Sequence, residues 1–338
     1  MKRFFLLLSL FSLSLFGQTP QDEDVPTENK PSLHGTIRGK YEYQPEIDAS
    51  RFQVRNARFG ITGKVHPVVA YKVEIDLSDE GSIRMLDAYT KLNTASHLGL
   101  TLGQMRVPFT IDAHRSPHQQ YFANRSFIAK QVGNKRDVGA ILDYSFDTPF
   151  PVQLEAGIFN GSGLTEQRVW HQSMSYSGKV QLKFIQGMNL TVSAQSIEPD
   201  NLRMKLIDVG WYYKFHHFHV EAEYLYKVFQ DKLFNDVVAF DGFICYDHKL
   251  RQHFEKISFL VRYDMMTDNS DGFADPDTKA LKITDFYRQR LTGGITLSID
   301  KPFISDIRIN YEKYFYNQQD TPKVSERDKF VIELMTRF

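Results

Sequence analysis

Side-chain polarity in this 338-residue chain switches every second residue, over one segment after another, and that period constrains the fold more than any other feature. The last stretch shows it: Phe330, Ile332, Leu334 and Phe338 fall on one face, and Lys329, Glu333 and Arg337 on the other. In 69–77 the apolar face is Val69, Tyr71, Val73, Ile75 and Leu77, opposed by Lys72, Glu74 and Asp76. In 218–228 Phe218, Val220, Ala222, Tyr224 and Tyr226 oppose His219, Glu221, Glu223 and Lys227. Segments 179–184, 256–263 and 306–312 repeat the pattern. Successive side chains of a β-strand point to opposite faces, so each segment reads as a strand with one wet face. The candidates number about 16, an even count of the kind a transmembrane barrel uses.

A soluble sandwich would show the same period, because it buries one face of each sheet and wets the other. Strands of about 10–13 residues, tyrosines near strand ends and a terminal phenylalanine favour a bilayer instead, which tilted strands of about that length span. The mean hydropathy of -0.38 does not suit a bundle of membrane helices, whereas a barrel needs only alternate residues apolar. Aromatic residues make up 14% of the chain, enough to furnish girdles at two interfaces. In 51–63 the apolar phase slips between Val54 and Phe59, which predicts a β-bulge near Asn56.

Residues 1–17 read as a secretory signal peptide: a basic head at Lys2 and Arg3, an apolar run from Phe4 to Phe16, and the small Gly17 at the cut. Residues 18–31 are polar, acidic and proline-bearing, and read as a flexible segment; 32–338 form the barrel domain. Such a leader directs the chain out of the cytoplasm, and the barrel to the outer membrane of a Gram-negative bacterium. The single Cys245 excludes an internal disulfide framework. Lysine and arginine balance aspartate and glutamate at 41 each, so no electrostatic case for nucleic acid arises. Short turns are expected at 65–67, 186–187 and 214–216, and long loops at 106–136, 162–172, 267–284 and 317–327.

Gly103-Gln-Met-Arg-Val-Pro-Phe109, with Ser116, Tyr121-Phe-Ala-Asn-Arg-Ser126 and Arg136-Asp-Val-Gly139, resembles the phosphate-selective porin O and P family. Arg58-Phe-Gly-Ile-Thr-Gly63, Leu86-Asp-Ala-Tyr89 and Gly157-Ile-Phe-Asn-Gly161 fit the same pattern. The resemblance is specific over about 51–161. It implies a 16-stranded, homotrimeric outer-membrane channel in contact with lipid, passing small anions such as phosphate or polyphosphate. Its third loop, here about 107–135, would fold into the lumen as a constriction.

Read physically, that loop carries His114, Arg115, His118, Arg125, Lys130, Lys135 and Arg136, with Asp112 the one acid before Asp137. Cations gathered in a low-dielectric narrowing attract anions, and arginine can grip a phosphate with two hydrogen bonds. Arg106, Arg115, Arg125, Lys130, Lys135 and Arg136, with Arg58, Lys72 and Asp87 on the early strands, are therefore the expected anion path. Arg55 and Lys91 share those wet faces. Asp306, Glu312, Glu221, Glu223 and Glu333 stand on wet faces too, so no ladder of arginines can be drawn from the pattern.

The remaining constellations point to solvated surface. His216, His217 and His219 lack the further ligands a transition metal needs. The acidic run Asp268, Asn269, Asp271, Asp275 and Asp277 lacks the spacing of a calcium loop. No nucleophile elbow or zinc-protease helix is present, and Ser116 near His114 and His118 is a chance pairing. The reading is a passive porin for small hydrophilic solutes that prefers anions, with no cofactor, no metal and no catalytic residue. A non-conducting adhesin or scaffold barrel and a barrel-embedded hydrolase are the alternatives.

Overall fold

A computed structural model describes residues 30–338 apart from 80–81, 96, 134–135, 148, 166, 200–201, 252, 276 and 318–321. The leader and its cut lie outside the described residues, as does Lys135. Sixteen strands follow one another as a single antiparallel meander. The first eight are β1 (Ser32–Gln44), β2 (Ala49–His66), β3 (Val69–Asp79), β4 (Ser82–Ala95), β5 (Leu98–Arg106), β6 (Arg136–Phe146), β7 (Val152–Phe159) and β8 (Ser175–Leu182). Then come β9 (Met188–Ile197), β10 (Met204–Phe215), β11 (Phe218–Phe229), β12 (Val237–Lys249), β13 (Lys256–Met266), β14 (Arg288–Ile299), β15 (Ile304–Tyr316) and β16 (Lys329–Arg337). β1 pairs with β16 and closes the barrel, leaving no sheet edge.

Polarity is inside out, as the period requires. On β16 Leu334 is 55% exposed while Glu333 is fully buried, and on β2 Phe52 is 86% exposed. The inward faces of β1 and β15 are Thr36, Arg38, Lys40, Glu42 and Asp306, Arg308, Asn310, Glu312. Pairing Arg38 with Asn56 and Gly39 with Val54 leaves Arg55 unmatched, so the bulge lies one residue from the expected Asn56.

The start of β1, Phe338 and short turns such as 67–68 and 216–217 gather at one rim, here the turn end; the longest connections gather at the other, the loop end. The turn expected at 214–216 is 216–217, because Phe215 still pairs with Phe218 as the last rung of β10 and β11.

Segment 107–133 returns inside the barrel instead of standing above it. Its Phe109, Phe127, Ile128 and Val132 are buried against Met204, Leu206, Leu225, Val237, Ala239 and Met266. These wall residues face inward near the loop end of β10–β13, where alternation alone would place polar groups. Each large side chain so buried contributes about 1.5–3 kcal/mol, which pulls the loop to that side and leaves the β2–β4 side open.

At the seam, Gly35 N–H donates to the Phe338 carbonyl at 2.8 Å, and Phe338 N–H returns the bond at 3.1 Å. A Cβ on Gly35 would stand 2.4 Å from the Phe338 ring. Gly35→Ala is expected to cost about 1 kcal/mol or more by overpacking, read as a lower temperature for loss of the fast-migrating folded band on a detergent gel. Phe338→Ala in the same chain should recover most of the loss; an unchanged transition in Gly35→Ala would show that the seam does not depend on this contact.

Candidate functional site

The inward loop is moored around most of the wall. Near its start, Thr110 N–H donates to Ser193 Oγ at 3.1 Å and Ser177 Oγ–H to the Pro108 carbonyl at 2.7 Å. Ile111 and Asp112 N–H both donate to Glu223. In the middle, Arg38 donates to Gln120 Oε1 at 2.8 Å and to the Ala123 carbonyl at 2.7 Å. Ala123 N–H reaches Asn310 Oδ1 at 2.8 Å, and Asn124 Nδ2 reaches Glu312 at 2.8 Å. Arg262 and Arg290 bind the carbonyls of Asn124 and Arg125 at 3.0 and 2.7 Å.

Aromatic rings finish the job on that side. Arg262 lies 4.4 Å over the Phe122 ring, and Arg288 and Arg290 lie 4.8 and 4.7 Å from Phe127. Arg262 and Arg290 also pair with Asp264, each at 3.0 Å, and Arg308, which reaches the Pro117 carbonyl at 3.4 Å, pairs with Glu333 at 2.9 Å. Cation–π contact and ion pairing are strongest where water is excluded, so most of the β13–β15 cations are spent holding the loop.

A cavity lies on either side of the loop strip, and Gln120 lines both. The loop-end cavity, about 460 Å³, runs along β1–β4. Eight arginines line it (Arg38, Arg51, Arg55, Arg58, Arg84, Arg125, Arg136 and Arg290) with Lys40, Lys130 and Lys329, against Glu42 and Asp76. The turn-end cavity, about 300 Å³, borders β10–β15 and is balanced: Arg115, Lys214 and Lys256 against Asp247, Asp300 and Asp306.

The cations of the loop-end cavity differ in how fully they are neutralised. Arg58 pairs with Glu74 and Asp76, each at 3.2 Å, and Arg136 with Asp87 at 2.6 Å. Lys72 stands 3.5 Å from Glu74 and 3.3 Å from Asp87, so Arg58, Lys72, Asp87 and Arg136 form one network on the wall. Arg51 pairs with Glu42 but keeps about half its side chain, 53%, exposed. No described residue pairs with the Arg55 side chain. Arg55 is the unmatched residue of the bulge, and a bulge re-aims side chains; here it turns a free guanidinium into the void.

The expected site residues on the loop divide by what they touch. Arg106 donates to the carbonyls of Ala113, His114 and Arg115, lines neither cavity, and clamps the loop on itself. Arg115 binds Glu221; burial disfavours its charge, but the adjacent carboxylate more than compensates and holds the guanidinium above its usual range. Arg125 donates to the Asp112 and Arg115 carbonyls, and Lys130 pairs with Glu326. Burial, with the Lys179 and Arg106 charges, pushes His114 well below the ordinary imidazole range, so His114 adds no positive charge at neutral pH.

Arg58, Arg125, Lys130 and Arg136 thus line the loop-end cavity, and Arg115 the turn-end one. Sequence reasoning missed Arg38, Lys40, Arg51, Arg84, Arg290 and Lys329. Arg38 and Lys40 were visible as alternate residues of β1, and Arg51, Arg55 and Arg58 as a run around the phase slip. What the pattern could not show is which part of the wall the loop leaves bare.

The family model for phosphate-selective porin O and P matches residues 35–201. No curated protein matches the sequence. Among solved structures, the anion-selective porin from Comamonas acidovorans superposes with a TM-score of 0.61 at 11% identity, covering 92% of this chain and 99% of that one. The outer membrane channel DcaP of Acinetobacter baumannii gives 0.61 at 16% identity, covering 91% and 96%. In-vitro folded OmpT of Vibrio cholerae, in trimer form, gives 0.61 at 11%, covering 91% and 99%. At these identities the likeness is one of fold.

Each bond from a charged donor contributes about 1.5–3 kcal/mol, so Arg106→Gln should free the loop around Ala113–Arg115. Amide hydrogen exchange over 111–118 is expected to accelerate by about tenfold or more, the factor that 1.4 kcal/mol represents. Unchanged protection there, with an intact barrel, would assign the mooring to the wall contacts alone.

Proposed function

We propose that this chain, whose residues 35–201 match the model of the phosphate-selective porin O and P family, is a passive outer-membrane pore for small hydrophilic anions. Fold and family are those of a channel rather than of an enzyme. In such barrels short turns face the periplasm and long loops face outside, so the cation-lined cavity is the outer one.

One observation carries the reading: a cavity of about 460 Å³ presents eleven cationic side chains and two carboxylates to its void. Many of the balancing carboxylates, such as Glu333, Asp264 and Glu312, sit behind the cations with no exposure to solvent. An ion in the void therefore meets guanidinium groups first. Field lines focused between low-dielectric walls raise the local anion concentration and exclude cations.

Solutes pass beside the inward loop, along β1–β4, toward Gln120 and the inner cavity. Arg51, Arg55 and Arg84 supply the first attraction, with Arg58, Arg125, Lys130 and Arg136 deeper. Arg106 and Arg115 act indirectly by fixing the loop, and Lys72 and Asp87 by holding Arg136 and its neighbours. Phosphate, the anion in the family's description, suits arginine forks able to bond two oxygens at once. A homotrimer is the assembly proposed, on the family and on the trimer form of the OmpT neighbour.

Reversal potentials in a KCl gradient test this directly. The wild type should favour chloride over potassium, and Arg51→Gln with Arg55→Gln should lower that ratio severalfold while single-channel steps persist. An unchanged ratio in the double variant would remove these arginines from the path; a cation-preferring wild type would overturn the anion reading itself.

A further inference from the structure

The charge of the lumen is uneven along its axis, and this has an electrical consequence beyond anion preference. The outer cavity exposes Arg51, Arg55 and Arg84 on the loop-end parts of β2 and β4. The inner cavity sets Asp247, Asp300 and Asp306 against an equal number of lysine and arginine side chains. The two halves join where Gln120, a neutral side chain, borders both.

From this we infer that the pore is a rectifier: it passes anion current more readily from the outside to the periplasm than in reverse. The inference rests on the proposed anion path and adds a direction to it. In the outer half, fixed positive charge makes anions nearly the sole carriers. In the balanced inner half both signs carry current.

When voltage drives anions inward, they arrive at the junction from the outer half faster than the inner half alone would deliver them. Cations driven outward reach the same junction and cannot enter the cationic half. Both ions accumulate there, and conductance rises. Reversed voltage drains both ions from the junction, and conductance falls. No energy is stored or used, so at zero voltage and equal concentrations there is no net flux.

The asymmetry depends on fixed charges reaching across the lumen, so it is salt-sensitive. The Debye length is about 10 Å at 0.1 M and about 3 Å at 1 M. A dilute electrolyte lets the outer arginines control the whole cross-section, and a concentrated one screens them.

Current–voltage curves of single channels in planar bilayers test the proposal, with equal KCl on both sides. Orientation is set by Gln53→Cys in a Cys245→Ser background, since Gln53 lines the outer cavity and an impermeant thiol reagent modifies it only from the outer chamber. At about 0.1 M the current carrying anions inward should exceed the reverse current by about twofold or more. The ratio should approach one above about 1 M and in the Arg51→Gln, Arg55→Gln, Arg84→Gln variant. Folding of that variant is checked by its heat-modifiable gel migration, and the wild-type salt series tests the proposal should the variant not fold. A linear curve at low salt, or rectification of the opposite sense, overturns the inference while leaving a chloride-favouring reversal potential, and with it the pore reading, intact. Loss of chloride preference would instead remove the reading on which it rests.

Discussion

Hydrocarbon offers no hydrogen bonds, so every backbone N–H and C=O crossing a bilayer has to be paired by the chain itself. Sixteen strands closed by β1 and β16 meet that demand without a free edge. The rest of the structure follows. Apolar side chains go outward because lipid surrounds the sheet, and charged ones go inward. A barrel of this circumference encloses more space than its own wall residues fill. The interior then needs a second element, and the 107–133 segment provides it.

How that segment sits decides where charge is free. Burying an ion without a partner is expensive, and removing one partner of a buried pair leaves that cost exposed. The interior accordingly pairs Arg38 and Arg308 with Glu333, Arg290 with Asp264, and Arg115 with Glu221. Apolar contacts of Phe127 and Ile128 with the β10–β13 wall draw the loop off centre. The β2–β4 arginines, which the loop does not cover, stay in contact with the void. In the proposed pore, charge selectivity arises from the position of an apolar contact on the far wall, and composition alone gives no hint of it in a chain with equal numbers of acids and bases.

Period-two alternation made the barrel legible, because a strand between lipid and water has no other pattern to adopt. Strand count, the inward set on β3, β11, β15 and β16, and the bulge near Asn56 could all be read residue by residue. The motif around Gly103–Gly139 pointed to the inward loop. Residue roles within that loop were not legible: Arg106 and Arg115 look like any exposed cations until the partners at Ala113–Arg115 and at Glu221 are known. The same holds for Met204, Leu206 and Leu225, whose inward apolar faces break the rule that wet faces are polar. Arg115 and Glu221 stand 106 positions apart, and the Arg106 clamp exists only once the loop has folded back on itself; local pattern carries no record of either.

In the proposed pore the open path follows the β2 wall beside the loop and repels cations. Thiol accessibility during conduction tests it most directly, in a Cys245→Ser background. Arg55→Cys should react quickly with an anionic methanethiosulfonate, more slowly with a cationic one, and each adduct should change the single-channel current. Thr292→Cys, on the inward face of β14 and fully buried, should stay inert to both. Rapid modification at Thr292→Cys with none at Arg55→Cys would place the path on the β14 wall instead.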